Sequence, residues 1–278
     1  MDDELCEAEP VAPDRPNSSG RRREASSLEK LTHLVAHDKA LPRFVPRPPG
    51  AEAPRDVFAA AAANVAQPMI ADGWTFARSG PHLSRRTNNV TAKLKFGSNP
   101  DNLAEHLVGF RATVECSDHS LRAWRQSINA PLRTDGLVSS SPVGNLVDPP
   151  RWIEWNLVDP DHRDSIVVEI VELLRDVVRQ RVDPLVAALA QPQPDLGVVQ
   201  PAIHDSALVE YLVRADRIDE AARIIDARTR RATHDKERFV RLVTRFRESG
   251  LPTTQLPPDS PAAFAYLVAR FELPATMG

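Results

Sequence analysis

The chain is poor in the residues that build covalent or metal-centred frameworks. Its 278 residues contain only two cysteines, Cys6 and Cys116. That is too few for a disulfide scaffold and gives no sign of an oxidising compartment. Aromatic residues make up 5% of the chain, and lysine is scarce beside arginine. No apolar run approaches the ~20 residues that cross a bilayer. The opening Met1-Asp2-Asp3-Glu4-Leu5-Cys6-Glu7 is acidic and lacks an apolar stretch, so no signal peptide is expected and the default location is cytoplasmic. A net charge of −3 excludes a global attraction to nucleic acid or anionic membrane. There is no P-loop, dinucleotide-binding or HExxH pattern, and Ser139, Ser140 and Ser141 lack the glycines of a nucleophile elbow. His33 and His37 stand four apart with Asp38 beside them, and without further ligands they read as a solvated helix face. No cofactor and no metal site are expected.

Apolar residues are plentiful, at 42%, and their spacing is informative. In Val90-Thr91-Ala92-Lys93-Leu94-Lys95-Phe96 and again from Val108 to Cys116 they fall on every second position. Strict period two means a sheet with one face in a core and one in water. A sheet of that kind is antiparallel, with something apolar covering one side. The spacing predicts helices over residues 55–71 and 164–182, the second carrying Ile166, Val167, Ile170, Val171, Leu174, Val177, Val178 and Val182. Asp56 is the expected cap of the first, and Asp183-Pro184 is expected to interrupt the second. Two further strands are expected at residues 75–78 and 152–157, with a turn at 79–88 between the first and the alternating pair. Asp118 is placed to cap a short helix carrying Leu121, Trp124 and Ile128, and residues 131–150 read as a long loop.

The expected fold is therefore α+β. An antiparallel four-stranded sheet is covered on one face by two helices, and a small C-terminal helical bundle follows. Residues 1–54 form a flexible arm with one short helix and a Pro-rich linker, 55–191 the α+β domain, and 202–273 the helical module. Arg21, Arg22 and Arg23 in the arm read as a solvated charge run. The segment Gln191-Pro192-Gln193-Pro194-Asp195 reads as a linker.

Residues 55–190 resemble the bacterial domain of unknown function numbered 4304. The likeness rests on Pro68-Met69-Ile70-Ala71-Asp72-Gly73-Trp74-Thr75-Phe76-Ala77-Arg78, on the two alternating strands, and on the Trp155 strand with the Ile/Val/Leu helix ending near Pro184. It implies an α+β fold and no catalytic residue. A weaker likeness, in Tyr211-Leu212-Val213-Arg214-Ala215-Asp216-Arg217-Ile218-Asp219-Glu220-Ala221-Ala222, is to the helical hairpin of tetratricopeptide repeats. Ala215-Asp216 stands where such repeats usually place glycine, and a single copy implies a hairpin rather than a solenoid.

Candidate binding residues fall on three surfaces. Arg78, Lys93, Lys95 and Arg111 are expected on or beside the wet sheet face, with Arg85 and Arg86 close by, although Phe96 and Phe110 alternate onto the dry side and leave no stacking platform for RNA. Trp152 alternates away from Trp155 and is expected to be the more exposed ring, an anchor for a partner beside the long loop. Arg238, Arg241 and Arg245 share one side of a predicted helix whose other side carries Phe239, Leu242, Val243 and Phe246. Glu115, Glu154 and His119 could meet across the sheet, although spacing alone does not select them, and an enzyme would have its site near the 131–150 loop. The sequence favours a non-enzymatic protein that recognises another protein. A nucleic-acid binder using the basic helix faces is the first alternative and an enzyme the second.

Overall fold

The two alternating runs pair at the centre of an antiparallel sheet. β3 (Val90–Ser98) and β4 (Gly109–Asp118) align Leu94 with Val114 and Lys93 with Glu115. Successive side chains point to opposite faces, so Leu94, Phe96, Phe110, Val114 and Cys116 enter the core. Thr91, Lys93, Lys95, Arg111, Thr113 and Glu115 stay on the wetter side. The computed structural model describes residues 52–132, 135–231 and 236–274. The arm expected over residues 1–54, with its helix, Arg21 to Arg23 and the His33/His37 pair, lies outside the described residues as far as residue 51.

The fold is α+β as expected, but the sheet has six strands and not four. Its order is β1 (Thr75–Ala77), β2 (His82–Thr87), β3, β4 and β5 (Leu137–Pro142), with β6 (Trp155–Asn156) pairing a different stretch of β4. β2 occupies most of the expected turn at 79–88. β5 forms inside the expected 131–150 loop, where the ladder to β4 ties down Ser139, Ser140 and Ser141. The expected strand at 152–157 shrinks to two paired residues.

α1 (Pro54–Ala71) buries Val57, Ala61, Ala62, Val65, Ala66 and Met69. Pro54 opens it, where a missing N–H removes no bond, and Asp56 sits in the first turn instead of capping it. α3 (Arg163–Val177) packs against α1 and contributes Ile170, Leu174 and Val177 to the same core. The expected break at Pro184 is a widened turn. Residues 178–182 adopt π-helical bonding and the chain stays helical into α4 (Asp183–Leu189), which touches β3. A π turn relieves the missing N–H and the ring clash that proline brings to a continuous α-helix.

A short turn, α5 (Leu196–Val199), leads to α6 (Asp205–Arg214), α7 (Ile218–Arg231), α8 (Lys236–Ser249) and α9 (Pro261–Phe271). α6 and α7 form the expected hairpin, with Asp216 at φ 58° in the turn, a left-handed conformation that aspartate tolerates better than most residues. These helices share one continuous hydrophobic cluster with the sheet. Cys116 is fully buried in β4, and burial, helped by the charge of Glu115, pushes its thiol up to about 12.

α6 is capped from a distance. Its cap residue His204 makes no side-chain capping bond. Asp259, 53 residues from Ser206, accepts the Ser206 N–H at 2.8 Å, and His204 Nδ1 donates to its other oxygen at 3.2 Å. Burial alone would raise the Asp259 carboxyl. The hydrogen bonds from His204 and Ser206 and the His204 charge together outweigh burial and hold it below the ordinary aspartate value. A depressed folded pKa stabilises the fold above the unfolded value of ~4, and that contribution is lost as pH falls through the folded value. Asp259→Ala, which removes the acceptor shared by Ser206 and His204, is therefore expected to lower the unfolding free energy by about 1 kcal/mol at pH 7. The gap to wild type should narrow in urea titrations at pH 3.

Candidate functional site

β4 ends at Asp118, and the chain turns there into α2 (His119–Ser127). The Asp118 carboxylate is only 1% exposed. It accepts the Ser120 N–H at 2.7 Å and the Ser120 hydroxyl at 2.9 Å, which caps α2. Asn89, from the β2–β3 turn, donates its Nδ2 at 2.7 Å, and the Tyr211 hydroxyl of α6 donates at 2.7 Å. An ionised carboxylate offers about four acceptor positions, so this group is saturated. Burial, reinforced by the Asp118 charge, pushes the Tyr211 hydroxyl far above its ordinary value. Gly136, at φ +75°, accepts the Asp118 N–H, and a Cβ there would lie 2.4 Å from the Asp118 carbonyl oxygen.

A buried ion pair lies alongside. Arg125 of α2 grips Glu210 of α6 through Nε at 2.9 Å and Nη2 at 2.6 Å. Their side chains are 4% and 0% exposed. Arg125 Nη1 also donates to the Leu137 carbonyl of β5 at 3.3 Å. Burial pushes the Glu210 carboxyl up against the opposing pull of the Arg125 guanidinium. Asp118 and Arg125 thus tie the sheet to the C-terminal helices through two polar centres on α6.

Over Asp118 opens a cleft of about 610 Å³. Asn89, Ser120 and Tyr211 form its floor. Arg214, at the end of α6, and Arg217, in the α6–α7 turn, form one wall, while Leu189, Pro192, Pro194 and Leu196 form the other. The expected linker at 191–195 is therefore a side of the cleft. Arg214 lies 6.0 Å from the centroid of the Trp124 ring, which itself stacks on Phe271 at 5.7 Å. Arg214 Nη1 donates to the Ser120 hydroxyl at 3.4 Å. Arg217 is forked onto Glu220 at 2.7 and 2.6 Å, which raises its own pKa and lowers that of Glu220.

The residues anticipated from the sequence lie elsewhere. Lys95 pairs with Glu115 at 3.0 Å, and Arg111 with Glu154 at 3.1 Å. Arg111 also sits 5.3 Å from the ring centroid of Trp152, which is 56% exposed. Lys93 stands on the same face, and Arg78 is exposed in the turn after β1. The sheet face is thus partly neutralised by its own carboxylates. Arg85, expected beside that face, belongs to the covered side, where it pairs with Asp183 and stacks 4.7 Å from the Trp74 centroid. Glu115, Glu154 and His119 are not brought together, since His119 bonds Thr91 at 2.9 Å and Glu154 accepts from Asn99 at 2.8 Å. Arg238, Arg241 and Arg245 line the exposed side of α8 while Phe239, Val243 and Phe246 are buried. None of these three arginines belongs to an ion pair among the described residues. No cluster of three or more potential metal ligands occurs among the described residues, and no helix among them is long and apolar enough to cross a membrane.

Sequence reasoning missed the cleft. Tyr211 and Arg214 were visible only as part of a helical hairpin, and no reading of the sequence singled out Asn89 or Ser120. Asp118 as a helix cap was the one signal that pointed to the place. Comparison with known protein families, with curated proteins and with solved structures finds no match to this chain.

Proposed function

We propose that the protein is a non-enzymatic, cytoplasmic protein that recognises an acidic surface on another protein through α8. The observation that carries this reading is the row of Arg238, Arg241 and Arg245. The three guanidinium groups project from one side of a helix whose opposite side is locked into the core. Positions i, i+3 and i+7 span about two helical turns, or ~10 Å at 1.5 Å per residue. A rigid cationic row of that length complements a carboxylate cluster and speeds docking through its field. Trp152 on the open sheet face is the apolar anchor of the same kind that such interfaces favour. The resemblance to the bacterial domain numbered 4304 belongs to this proposal too, as a reading of the sheet and its covering helices.

The test is affinity capture from the native host with wild type and with the Arg238→Gln/Arg241→Gln/Arg245→Gln variant. The expected result is a co-purifying protein with an acidic patch whose recovery falls at least tenfold with the variant. Recovery that does not depend on the three arginines would overturn the reading. The same row favours nucleic acid as a second reading. Binding to phosphates loses about 0.9 log units of affinity per contact for each tenfold rise in salt. A slope of −2 or steeper on duplex DNA or RNA, abolished by the triple variant, would put nucleic acid in the partner's place.

A further inference from the structure

We propose that the cleft beside Asp118 receives the free carboxyl end of another polypeptide. Arg214 takes the terminal carboxylate, the Asn89 side-chain carbonyl takes the last amide N–H, and Leu189, Pro192 and Leu196 receive an apolar final side chain. This site is separate from the α8 row and does not depend on it.

Asp118 accepts from Asn89, Ser120 and Tyr211. A carboxylate can only accept, so the Ser120 and Tyr211 hydroxyl hydrogens and one of the two Asn89 amide hydrogens point down into the protein. Asn89 uses one amide N–H on Asp118, and its side-chain oxygen has no partner among the described residues. The floor therefore offers that oxygen as an acceptor for a ligand N–H. The wall calls for an anion. Arg214 is exposed and has five N–H donors, of which only one is engaged, at 3.4 Å. Its orientation is held by Trp124 and Ser120. The nearby acids do not cancel it, since Asp118 is saturated by four donors and Glu210 is gripped by the fork of Arg125. Arg217 is closed by Glu220.

An anion, an adjacent N–H and an apolar branch are the three features of the last residue of a peptide. Carboxyl-terminal capture is a recurring mode of peptide recognition. A simple anion such as phosphate would satisfy Arg214 but leave the Asn89 oxygen and the apolar wall unused. The cleft volume of about 610 Å³ lies within the ~300–1,000 Å³ of ordinary small-ligand pockets, enough for a terminal residue and its amide.

Isothermal titration of the full chain tests this with N-acetylated hexapeptides of glycine, serine and alanine ending in leucine. The free acid is expected to bind at least tenfold more tightly than the same peptide amidated at its end. Arg214→Gln should remove that preference. Ala215→Glu, which adds a carboxylate at the rim, should weaken the free acid at least tenfold, with both variants melting like wild type. The triple α8 variant should bind as wild type does. Equal binding of acid and amide, no binding of either, or no change with Arg214→Gln would each overturn the proposal. So would an amidated peptide carrying an internal glutamate that binds as well as the free acid, or N-acetyl-leucine binding as tightly as the hexapeptide.

Discussion

Replacing Glu210 by alanine is expected to destabilise the protein by about 3–5 kcal/mol, because it takes the two-point Glu210 carboxylate contact away from a buried guanidinium. Arg125 retains its bond to the Leu137 carbonyl, but a neutral carbonyl does not replace a two-point carboxylate contact. Removing both charges should be much milder. A double variant, Arg125→Met with Glu210→Leu, exchanges the pair for apolar groups of similar size, an exchange that is often close to neutral. Denaturant titration of the two single variants and the double variant makes the comparison. If Glu210→Ala matched wild type, the pair would not join α2 to α6 energetically.

Phe110→Ala is expected to have a loss of the same order, about 3–5 kcal/mol. Phe110 is completely buried. Its ring meets Phe58 of α1 at 5.4 Å, Phe96 of β3 at 5.2 Å and Trp155 of β6 at 6.3 Å between centroids. One side chain thus holds a helix, a central strand and the short strand beside it. Truncation leaves a cavity that three aromatic rings cannot readily fill, and it removes favourable tilted and edge contacts as well. Phe110→Leu keeps most of the volume and should lose less. Equilibrium unfolding, followed by far-UV circular dichroism and by tryptophan emission, measures both. A loss under 1 kcal/mol for the alanine variant would contradict this packing.

What could be read from the sequence was the part in which burial and hydrophobicity coincide. β3 and β4 alternate cleanly because their covered residues are apolar. β2 hid itself because one of its covered positions is Arg85, held half-buried on that side by pairing with Asp183 and by stacking on Trp74. An arginine in that slot erases the period-two signal. β5 hid for a different reason. Three serines in a row carry no face preference, and the ladder to β4 supplies an order that composition does not suggest. The cleft was harder still. Tyr211 and Asp118 are 93 residues apart, and nothing local to either announces the other. The α8 row, by contrast, was legible, since i, i+3, i+7 spacing decides which side of a helix a residue takes.

Cys116 has a practical consequence. A thiol reacts as its thiolate, and a fully buried group pushed up to about 12 is silent to alkylating reagents while the ladder holds. Labelling must wait until β4 separates from its neighbours. With Cys6 replaced by serine, the rate at which iodoacetamide consumes the remaining sulfhydryl becomes a clock on the opening of the sheet.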